Sequence, residues 1–597
     1  MKFLVLLVMI SVSVAPAAQV TYGPILGALT ESSVGVWGRT DQPGDLFVRY
    51  GSSLGNLDQL AGPVATSLER DNTGVVVVGN LEPNQRYYYQ LLSDPLDGET
   101  DENTGSFRTL PAKGQFENAE RNPQGLFNFS FEFACGNNQG SNPGLPGFIT
   151  MLRELRDETH FAIQNGDWVY EENRDFAPDE WLGQVGSQSP PRIVDLAPTI
   201  VGVWENYKLY LRRGGPLRAW HRNMPSFFTF DDHEILGDVN GTGTIGLRSR
   251  RAAFRDIGVK GWYDYLGWSN PVGGVQDIHF GKTSLSKDSD VLVDPAANFT
   301  NLDLDQAASL TVHWGGPTAG VNEKPLDDIG GDPNAGVYEI VDVLDRNRLK
   351  IRPPARDDSE PSYSIGRISY FNMPVGNAEF FFVDTRSFRQ IHDRANPMAE
   401  GVSMLGARQK EWLENSMKVS DADFLFVVSS VNLMVPHVGP GMGGANKDEA
   451  WTAIAVERNQ LIDYWDSLGK PVFVLTGDLH NSFAIKITDR VWEFASGPHN
   501  SGNHAAVSEA GRPPNGPFEA RGKKSEIRWS TYFADDSALP RRNPVYCVVK
   551  INNVFNNPAK DRRDRWIAYP RPQATFKYFS GLTGELLYAE SILASQR

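Results

Sequence analysis

The sequence predicts an α/β protein that is preceded by a small β-sandwich and interrupted by a β-rich insertion. From residue 126 onward, short apolar runs alternate with segments of helical periodicity, which is typical of sheets flanked by helices. Residues 20–110 show short apolar runs separated by turn formers, which is typical of a β-sandwich. From Val275 to Pro361 the composition changes to Asp, Pro, Gly and short β-like runs without helical periodicity.

The length of the chain indicates more than one domain. Its 597 residues exceed the roughly 250–300 at which a single hydrophobic core stops growing. We predict a signal peptide at 1–18, an N-terminal β domain at 19–112, the two parts of the α/β domain at 125–275 and 362–545, the insertion at 276–361, and C-terminal closing strands at 546–597.

The first residues have the pattern of a secretory signal. A charged start, Met1-Lys2, precedes the apolar run Phe3–Val14, and Ala15-Pro16-Ala17 supplies the small residues of a cleavage site. The run is shorter than the ~20 residues that a membrane-spanning helix needs, and no later segment is long and apolar enough. We therefore expect an exported, soluble protein without a transmembrane segment.

Charge and cysteine content restrict the partners and the redox chemistry. The formal net charge is −16, from 57 basic and 73 acidic residues, which argues against nucleic acid as a general partner. There are only two cysteines, Cys135 and Cys547. They would be able to form a disulfide in an oxidising compartment, whereas a free Cys135 would be able to bind a metal. The sequence leaves both alternatives open.

The N-terminal domain shows strand-like runs at about ten-residue spacing. These runs are Val34–Trp37, Leu46–Tyr50, Gly74–Val78 and Arg86–Leu92. The stretch Leu81–Tyr89 resembles the E–F corner of a fibronectin type III domain, where a tyrosine anchors the corner. We therefore expect a fibronectin III-like β-sandwich.

Four apolar runs in the α/β part end in polar residues that suit a metal site. Phe227–Phe230 precedes Asp231-Asp232-His233-Glu234, Asn128–Phe133 precedes Cys135, His160–Gln164 precedes Asp167, and Pro471–Thr476 precedes Asp478 and His480. In α/β sheets, ligands bind beyond the carboxyl ends of the strands. We therefore expect a single metal site at one edge of one sheet, combining a transition metal with a harder cation.

Helical periodicity separates these runs. The predicted helices are Gly147–Thr159, Pro198–Arg213, Leu405–Met417 and Trp451–Leu468. No Gly-x-Gly-x-x-Gly opens a helix after the first strand, so the domain is not of the dinucleotide-binding type. In the insertion, β-like runs occur at Ser309–Trp314, Val337–Val341 and Leu349–Ile351, and the closing strands are expected at Tyr546–Lys550 and Ala574–Tyr578.

Between Asn128 and Asn500 the motifs resemble a known family in their order. They are Phe133-Ala134-Cys135, Gly166-Asp167-x-x-Tyr170-Glu171, Asp231-Asp232-His233-Glu234, Val383-Asp384-Thr385-Arg386, Leu405-Gly406-x-x-Gln409-x-x-Trp412-Leu413, Ser429-Ser430 and Gly477-Asp478-x-His480. The set resembles the PhoD-like alkaline phosphatases and phosphodiesterases. The resemblance implies a sandwich of β-sheets flanked by helices, the calcineurin-like metallophosphatase fold.

The resemblance also implies cofactors and roles. It implies Fe(III) with Ca(II), with Cys135, Asp167 and Tyr170 around the iron and with Asp478 and His480 completing the cluster. Asp232 lies where relatives carry a metal-binding Asn, so we predict it as both a metal ligand and a catalytic residue, and Asp231 is expected to have a similar role. His233 lies where relatives carry the histidine that protonates the leaving group.

The sequence departs from the family pattern at two places near the site and in the signal. Phe230 replaces a Trp before the Asp pair, and the calcium-binding Asn of the family corresponds to either Asp238 or Asn240. The signal has only Lys2 and no twin arginine. We expect Arg386 and His437 to contact substrate, with a structural salt bridge as the alternative for Arg386 and a plain loop position as the alternative for His437.

The functional prediction is an exported metal-dependent hydrolase of phosphate esters. Its substrate would be a nucleotide, a cell-wall polymer or a phospholipid head group, as a monoester or a diester. Two alternatives are a catalytically inactive cell-surface binding module on the same fold and a phospholipase-type phosphodiesterase. The intact acidic and histidine motifs argue against the inactive module.

Overall fold

The computed structural model describes residues 17–98, 100–314, 331–437, 449–538, 543–560 and 562–596. Residues 1–16 of the predicted signal peptide lie outside the described residues. Within the described ranges, no helix is long and apolar enough to cross a membrane. The predicted fold class is confirmed, because the chain is a mixed α/β protein built mostly from sheets with helices packed on them.

The N-terminal domain is a pair of antiparallel sheets. Its strands are β1 Val20–Gly27, β2 Val34–Thr40, β3 Asp45–Gly51, β4 Gln59–Ala65, β5 Thr73–Val78, β6 Arg86–Leu92 and β7 Thr104–Arg108. The orders are β1-β2-β5 and β4-β3-β6-β7, and β2, β3, β5 and β6 contain the predicted strands. The Tyr87 hydroxyl accepts a 3.0 Å hydrogen bond from the Glu82 amide, so a tyrosine does bond across the predicted corner.

The first half of the α/β domain supplies three parallel strands. Its elements are β8 Phe129–Ala134, α1 Pro146–Leu155, β9 Phe161–Asn165, α2 Pro178–Val185, α3 Arg192–Leu196, α4 Ile200–Arg213, α5 Gly215–His221, β10 Ser226–Thr229, α6 Asp232–Ile235, α7 Arg250–Ala253 and α8 Arg255–Tyr265. Strand β9 pairs in parallel with β8 on one side and with β10 on the other. The carboxyl ends of these strands therefore meet at the same edge.

The insertion forms a sheet of its own. Its strands are β11 His279–Lys282, β12 Val291–Val293, β13 Ala307–Val312, β14 Gly336–Asp345, β15 Arg348–Arg352 and β16 Ser362–Arg367, in the order β11-β16-β13-β14-β15-β12. Strand β16 lies just beyond the predicted end of the insertion at residue 361. Its pairing with β11 and β13 nevertheless makes it part of the insertion sheet.

The second half of the α/β domain forms a further sheet, and the last strands return to the first one. The elements are β17 Phe371–Val375, β18 Ala378–Phe382, α9 Gly406–Val419, β19 Phe424–Val428, α10 Ala455–Ser467, β20 Val472–Thr476, β21 Phe483–Lys486, β22 Val491–Ala495, β23 Gly516–Ala520, β24 Lys523–Ser530, β25 Val545–Asn556, β26 Trp566–Ser580 and β27 Leu586–Leu593. The orders are β17-β18-β19-β20-β22-β21-β24-β23 and β10-β9-β8-β25-β26-β27.

The expectation of one edge of one sheet is wrong. Strands β8, β9 and β10 lie in one sheet, whereas β20 lies in the other. The four runs look alike in sequence, and only long-range pairing decides which sheet a strand joins. Asn165, at the end of β9, joins the two sheets by donating to the carbonyls of Ser429 at 2.9 Å and Leu475 at 3.3 Å.

Phenylalanine side chains fill the space between the two sheets. The ring of Phe131 lies 5.3 Å from that of Phe161 in its own sheet. Across the sandwich it lies 5.0 Å from the ring of Phe380 and 5.4 Å from that of Phe426. Aromatic pairs at these separations add to the free energy gained by burying their surface. The core therefore holds the two strand edges at a fixed distance.

Replacing Phe131 with alanine should lower the free energy of unfolding by about 3–5 kcal/mol, because it opens a cavity between the sheets. Phe555→Ala is the matched control, since Phe555 is 48% exposed, and it should cost less than about 1 kcal/mol. Thermal and urea unfolding of both variants measures the difference. Equal losses would contradict the assigned core.

Candidate metal centre

Four loops, each following a strand, bring the predicted ligands together where the two sheets meet. The loops follow β8, β9, β10 and β20 and carry Cys135, Asp167, Asp231 and Asp478. Asp167 and Asp478 have φ values of +56° and +66°, in the left-handed region where Asp and Asn are enriched among non-glycine residues. The chain thus turns sharply where β9 and β20 end.

Glycines allow the loops to approach Cys135 closely. A Cβ atom on Gly477 would lie 2.7 Å from Cys135 Cβ, and one on Gly497 would lie 2.7 Å from the sulfur. Both distances are shorter than a carbon or sulfur contact allows, so larger residues would push the loops after β20 and β22 away from Cys135.

Carboxylate and imidazole groups form overlapping clusters at this place. In each cluster, one possible ligand atom per residue lies within 4.8 Å of the others. The clusters are Asp167 with Asp232 and His233, Asp231 with Asp232 and Asp478, Asp232 with Asp238 and Glu449, and His437 with Glu449 and Asp478. Asp232 belongs to three of them. The groups extend across both sheets, which fits a site for more than one cation.

Two buried carboxylate oxygens of the cluster lack hydrogen-bond donors. Within the described part of the chain, Asp167 Oδ1 and Asp231 Oδ2 are buried and accept no hydrogen bond. The other Asp231 oxygen accepts from Ser430 Oγ at 2.8 Å and from Arg386 Nε at 2.5 Å. Because buried charge without a partner is costly, the two orphaned oxygens fit the binding of metal ions.

Tyr170 joins the β9 loop to the β20 loop. Its hydroxyl oxygen lies 2.9 Å from His480 Nε2, 3.0 Å from Ser501 Oγ and 3.2 Å from Asp167 Oδ2. Burial and then the charge of Asp167 raise its pKa well above the ordinary value. Tyr170 would therefore lose its proton only next to a strong cation.

Cys135 is a buried free thiol, and so is Cys547. The disulfide alternative is therefore wrong for this structure. Burial, followed by the charges of Asp167 and Asp478, raises the pKa of Cys135 well above its usual value. A thiolate at this position requires a neighbouring cation, so the thiol, like Tyr170, fits a metal ligand.

Burial and crowding also raise the pKa values of two carboxylates. Burial raises the pKa of Asp231 to about 7; Arg386 opposes the rise and Asp232 adds to it. For Asp167, burial and the charges of Asp232 and Asp231 outweigh the influence of His233 and raise the pKa well above 3.8. Without cations, the acids hold protons that metal ions would displace.

His233 lies at the edge of the cluster and reaches solvent, with about a quarter of its side chain exposed. Its Nδ1 lies 2.8 Å and 3.0 Å from the two carboxylate oxygens of Glu171, which also accepts the Gly237 amide. Burial lowers the His233 pKa, but Glu171, Asp232 and Asp167 together raise it well above 6.5. The neighbouring carboxylates thus favour the protonated form of His233.

The predicted substrate contacts lie deeper than the sequence suggests. Arg386 is fully buried, and besides Asp231 its guanidinium contacts Glu449 at 2.6 Å and Asp232 at 3.5 Å. His437 is 4% exposed, with Nδ1 3.1 Å from Asp478 Oδ2. In this structure both side chains face carboxylates of the centre.

Asp238 and Asn240, the two alternatives for the calcium ligand, occupy different positions relative to the acidic clusters. A carboxylate oxygen of Asp238 lies within 4.8 Å of those of Asp232 and Glu449. Asn240 donates to the Asp238 carbonyl at 3.2 Å, and its buried Oδ1 accepts no hydrogen bond from the described residues. Asp238 therefore shares a cluster with the other acids, and Asn240 offers an oxygen beside it.

Sequence reasoning missed Glu449 and Ser501. Glu449 follows residues 438–448, which lie outside the described ranges, and no apolar run precedes it. Ser501 contacts the site only because the loop after β22 turns back toward β8, where Ser501 Oγ also accepts the Asn138 amide at 3.0 Å. Neither residue carries a local signal in the sequence.

The metal-free protein should lose stability as the pH rises. Asp231 has a raised pKa, so the folded state binds more protons than the unfolded state between pH 4 and 7, and unfolding becomes easier across that range. Thermal unfolding of metal-free protein should show this fall, and Asp231→Asn should reduce it. An unchanged pH dependence in Asp231→Asn would contradict the assignment.

Comparisons with known proteins bear on the family and the fold. Residues 351–533 match the family model described as PhoD-like phosphatase. A solved structure described as PhoD aligns at a TM-score of 0.54 and 16% identity, over 96% of this chain and 93% of that one. GAP50, described as the anchor in the inner membrane complex of Plasmodium, aligns at 10% identity over 79% of this chain and 90% of its own. Its TM-score of 0.29 is too low to bear on the fold.

No curated protein matches the sequence. The match to the PhoD structure shows the fold of the chain, and the family model matches residues 351–533 of it. The expected resemblance is confirmed: residues 351–533 match the PhoD-like phosphatase model, and the chain has the fold of PhoD.

Proposed function

We propose that this protein is an exported metal-dependent hydrolase of phosphate esters. The family match supports a phosphatase-type hydrolase. The observation that carries the metal dependence is the buried cluster around Asp232, together with the orphaned oxygens of Asp167 and Asp231. The proposal of export rests on the signal-like sequence of residues 1–18.

The donor set divides into two parts. Cys135, Asp167 and Tyr170, with His480 beside the Tyr170 hydroxyl, offer the thiolate, carboxylate and phenolate that suit Fe(III). Carboxylate and amide oxygens, which Ca(II) prefers, are supplied by Asp231, Asp232, Asp238 or Asn240, Glu449 and Asp478. When bound, such ions supply an activated oxygen nucleophile and neutralise charge on the phosphoryl group.

The side chains of this protein provide positioning and a proton. His233 donates a proton to the departing alcohol oxygen, while Glu171 holds its Nδ1. Arg386, expected from the sequence to contact substrate, acts through Asp231 and Glu449, which it holds in place. Tyr170 and His233 pack with ring centroids 4.0 Å apart, which keeps the donor next to the cluster.

Among the described residues, the charge arrangement favours a diester over a monoester. Arg386 and Arg174 are buried guanidinium groups at the centre, and protein oxygens already accept hydrogen bonds from both. A diester carries one negative charge and needs fewer cationic contacts than a monoester. Linked or cyclic nucleotides, phosphodiester-linked cell-wall polymers and phospholipid head groups present such a diester.

Purified mature protein should contain iron close to one equivalent together with calcium, and should absorb visible light by charge transfer from Tyr170. Tyr170→Phe should abolish the band. Tyr207→Phe removes a buried hydroxyl that makes no hydrogen bond to the described residues, and it should leave the band unchanged. Elemental analysis and absorption spectra decide this. A well-folded protein without metal would instead favour the binding module.

His233→Gln should slow hydrolysis of alkyl phosphodiesters far more than that of bis(p-nitrophenyl) phosphate, because p-nitrophenolate leaves without being protonated. The loss for alkyl esters should be about 10²–10⁴-fold in kcat. The control is His279→Gln, in the insertion strand β11. Equal losses for both ester types would remove His233 from the role of proton donor.

A further inference from the structure

We propose that Glu234 is a positioning residue that sets the spacing of the Asp167 and Asp231 loops without binding metal itself. The proposal rests on the proposed function, because it takes these two loops to carry metal ligands. Glu234 ends the Asp-Asp-His-Glu stretch and is completely buried. Neither its sequence position nor the metal clusters assign it a role.

The Glu234 carboxylate accepts three backbone amides from two loops. Oε2 accepts the amide of Asp231 at 2.8 Å and that of Asp167 at 3.1 Å, and Oε1 accepts the amide of Trp168 at 2.6 Å. The strand ladder between β9 and β10 ends at the pair Asn165–Thr229. The carboxylate therefore continues the connection between the two strands just where the ladder stops.

This connection extends to the loop of Cys135. The Asp167 carbonyl accepts the Asn137 amide at 2.8 Å, and the Gly166 carbonyl accepts the Gly136 amide at 3.2 Å. Glu234 thus holds the Asp167 loop on one side while the β8 loop holds it on the other. A displacement of Asp167 by a fraction of an ångström would therefore reach the thiol as well.

The short helix that carries Glu234 is fixed from its other end. The buried Arg174 guanidinium donates to the carbonyls of His233 at 2.8 Å, Ile235 at 3.1 Å and Glu234 at 3.3 Å. These bonds satisfy carbonyls that so short a helix leaves without partners. Glu234 therefore has little freedom to follow a loop that moves.

The same contacts make Glu234 a poor ligand. A carboxylate has about four acceptor positions, and three of these accept amide protons here. The clusters of possible ligand atoms found among the described residues include Asp231, Asp232 and His233 but not Glu234. Partners that orient metal ligands typically contribute 10- to 100-fold to metal affinity.

Glu234→Gln tests the proposal, because the amide keeps the size of the side chain but places an N–H group against a backbone N–H. The control is Glu457→Gln. Glu457 is also a buried carboxylate, and it accepts Ser403 Oγ and the Met404 amide, both at 2.6 Å, away from the four site loops. Hydrogen exchange of the full chain, followed by mass spectrometry, and dialysis of purified protein against increasing EDTA give two independent readouts.

In Glu234→Gln, exchange in residues 161–170 and 226–236 should accelerate together by about 10-fold or more, since losing one such hydrogen bond corresponds to roughly that factor. Metal should be lost at an EDTA concentration about 10- to 100-fold lower than in the wild type. Glu457→Gln should change neither the exchange of these two segments nor the EDTA concentration at which metal is lost, even if its melting temperature falls as much as that of Glu234→Gln.

Faster exchange in residues 226–236 alone, or unchanged metal retention in a variant that does exchange faster, would overturn the proposal. Should wild-type protein hold no metal, the proposed function fails, while the joint exchange of the two loops still decides whether Glu234 connects them. If Glu234→Gln does not fold, Glu234→Asp, which keeps the charge but shortens the reach, should show the same joint acceleration in exchange.

Discussion

The burial of several acids close together is the constraint on which the centre depends. Asp231, Asp232, Asp478 and Glu449 are each at most 6% exposed and lie in overlapping clusters. Such a group is stable only with protons, basic side chains or metal ions close by. Arg386 provides part of that charge through its contacts with Asp231, Asp232 and Glu449. The remaining shortage of positive charge explains why the raised pKa values and the oxygens without hydrogen-bond donors occur in the same place.

The fold supplies the backbone that makes this crowding possible. Two sheets packed through phenylalanine rings bring the ends of β8, β9 and β10 opposite the end of β20. Buried glutamates then hold the loops on both sides. Glu234 accepts amides from the first sheet, and Glu493 accepts the amides of Leu433 and Met434, at 2.6 Å and 2.9 Å, in the second. Each half of the site thus contains acids that shape loops besides acids that face the cluster.

The insertion is attached to this frame through a buried polar network. Asp256 accepts hydrogen bonds from Ser364 at 2.8 Å and Thr311 at 3.3 Å, both in the insertion sheet. Arg255 joins Asp256 to Ser387 in the α/β domain. Such a network is costly to open, because each of its buried groups would lose a partner. The insertion therefore forms a fixed wall of the α/β domain.

The sequence by itself determined the local elements and the chemical types at their ends. Strands β8, β9, β10 and β20, the main helices and the β-rich character of the insertion follow from apolar periodicity, and Asp167, Asp232, His233 and Asp478 stand out because ionisable residues follow apolar runs. Only the tertiary structure decided that these strands belong to two sheets, that Arg386 is buried among acids, and that Glu449 and Ser501 join the site. The physical reason is that strand pairing and loop return are long-range events, set by packing between segments far apart in the chain, which local periodicity does not encode.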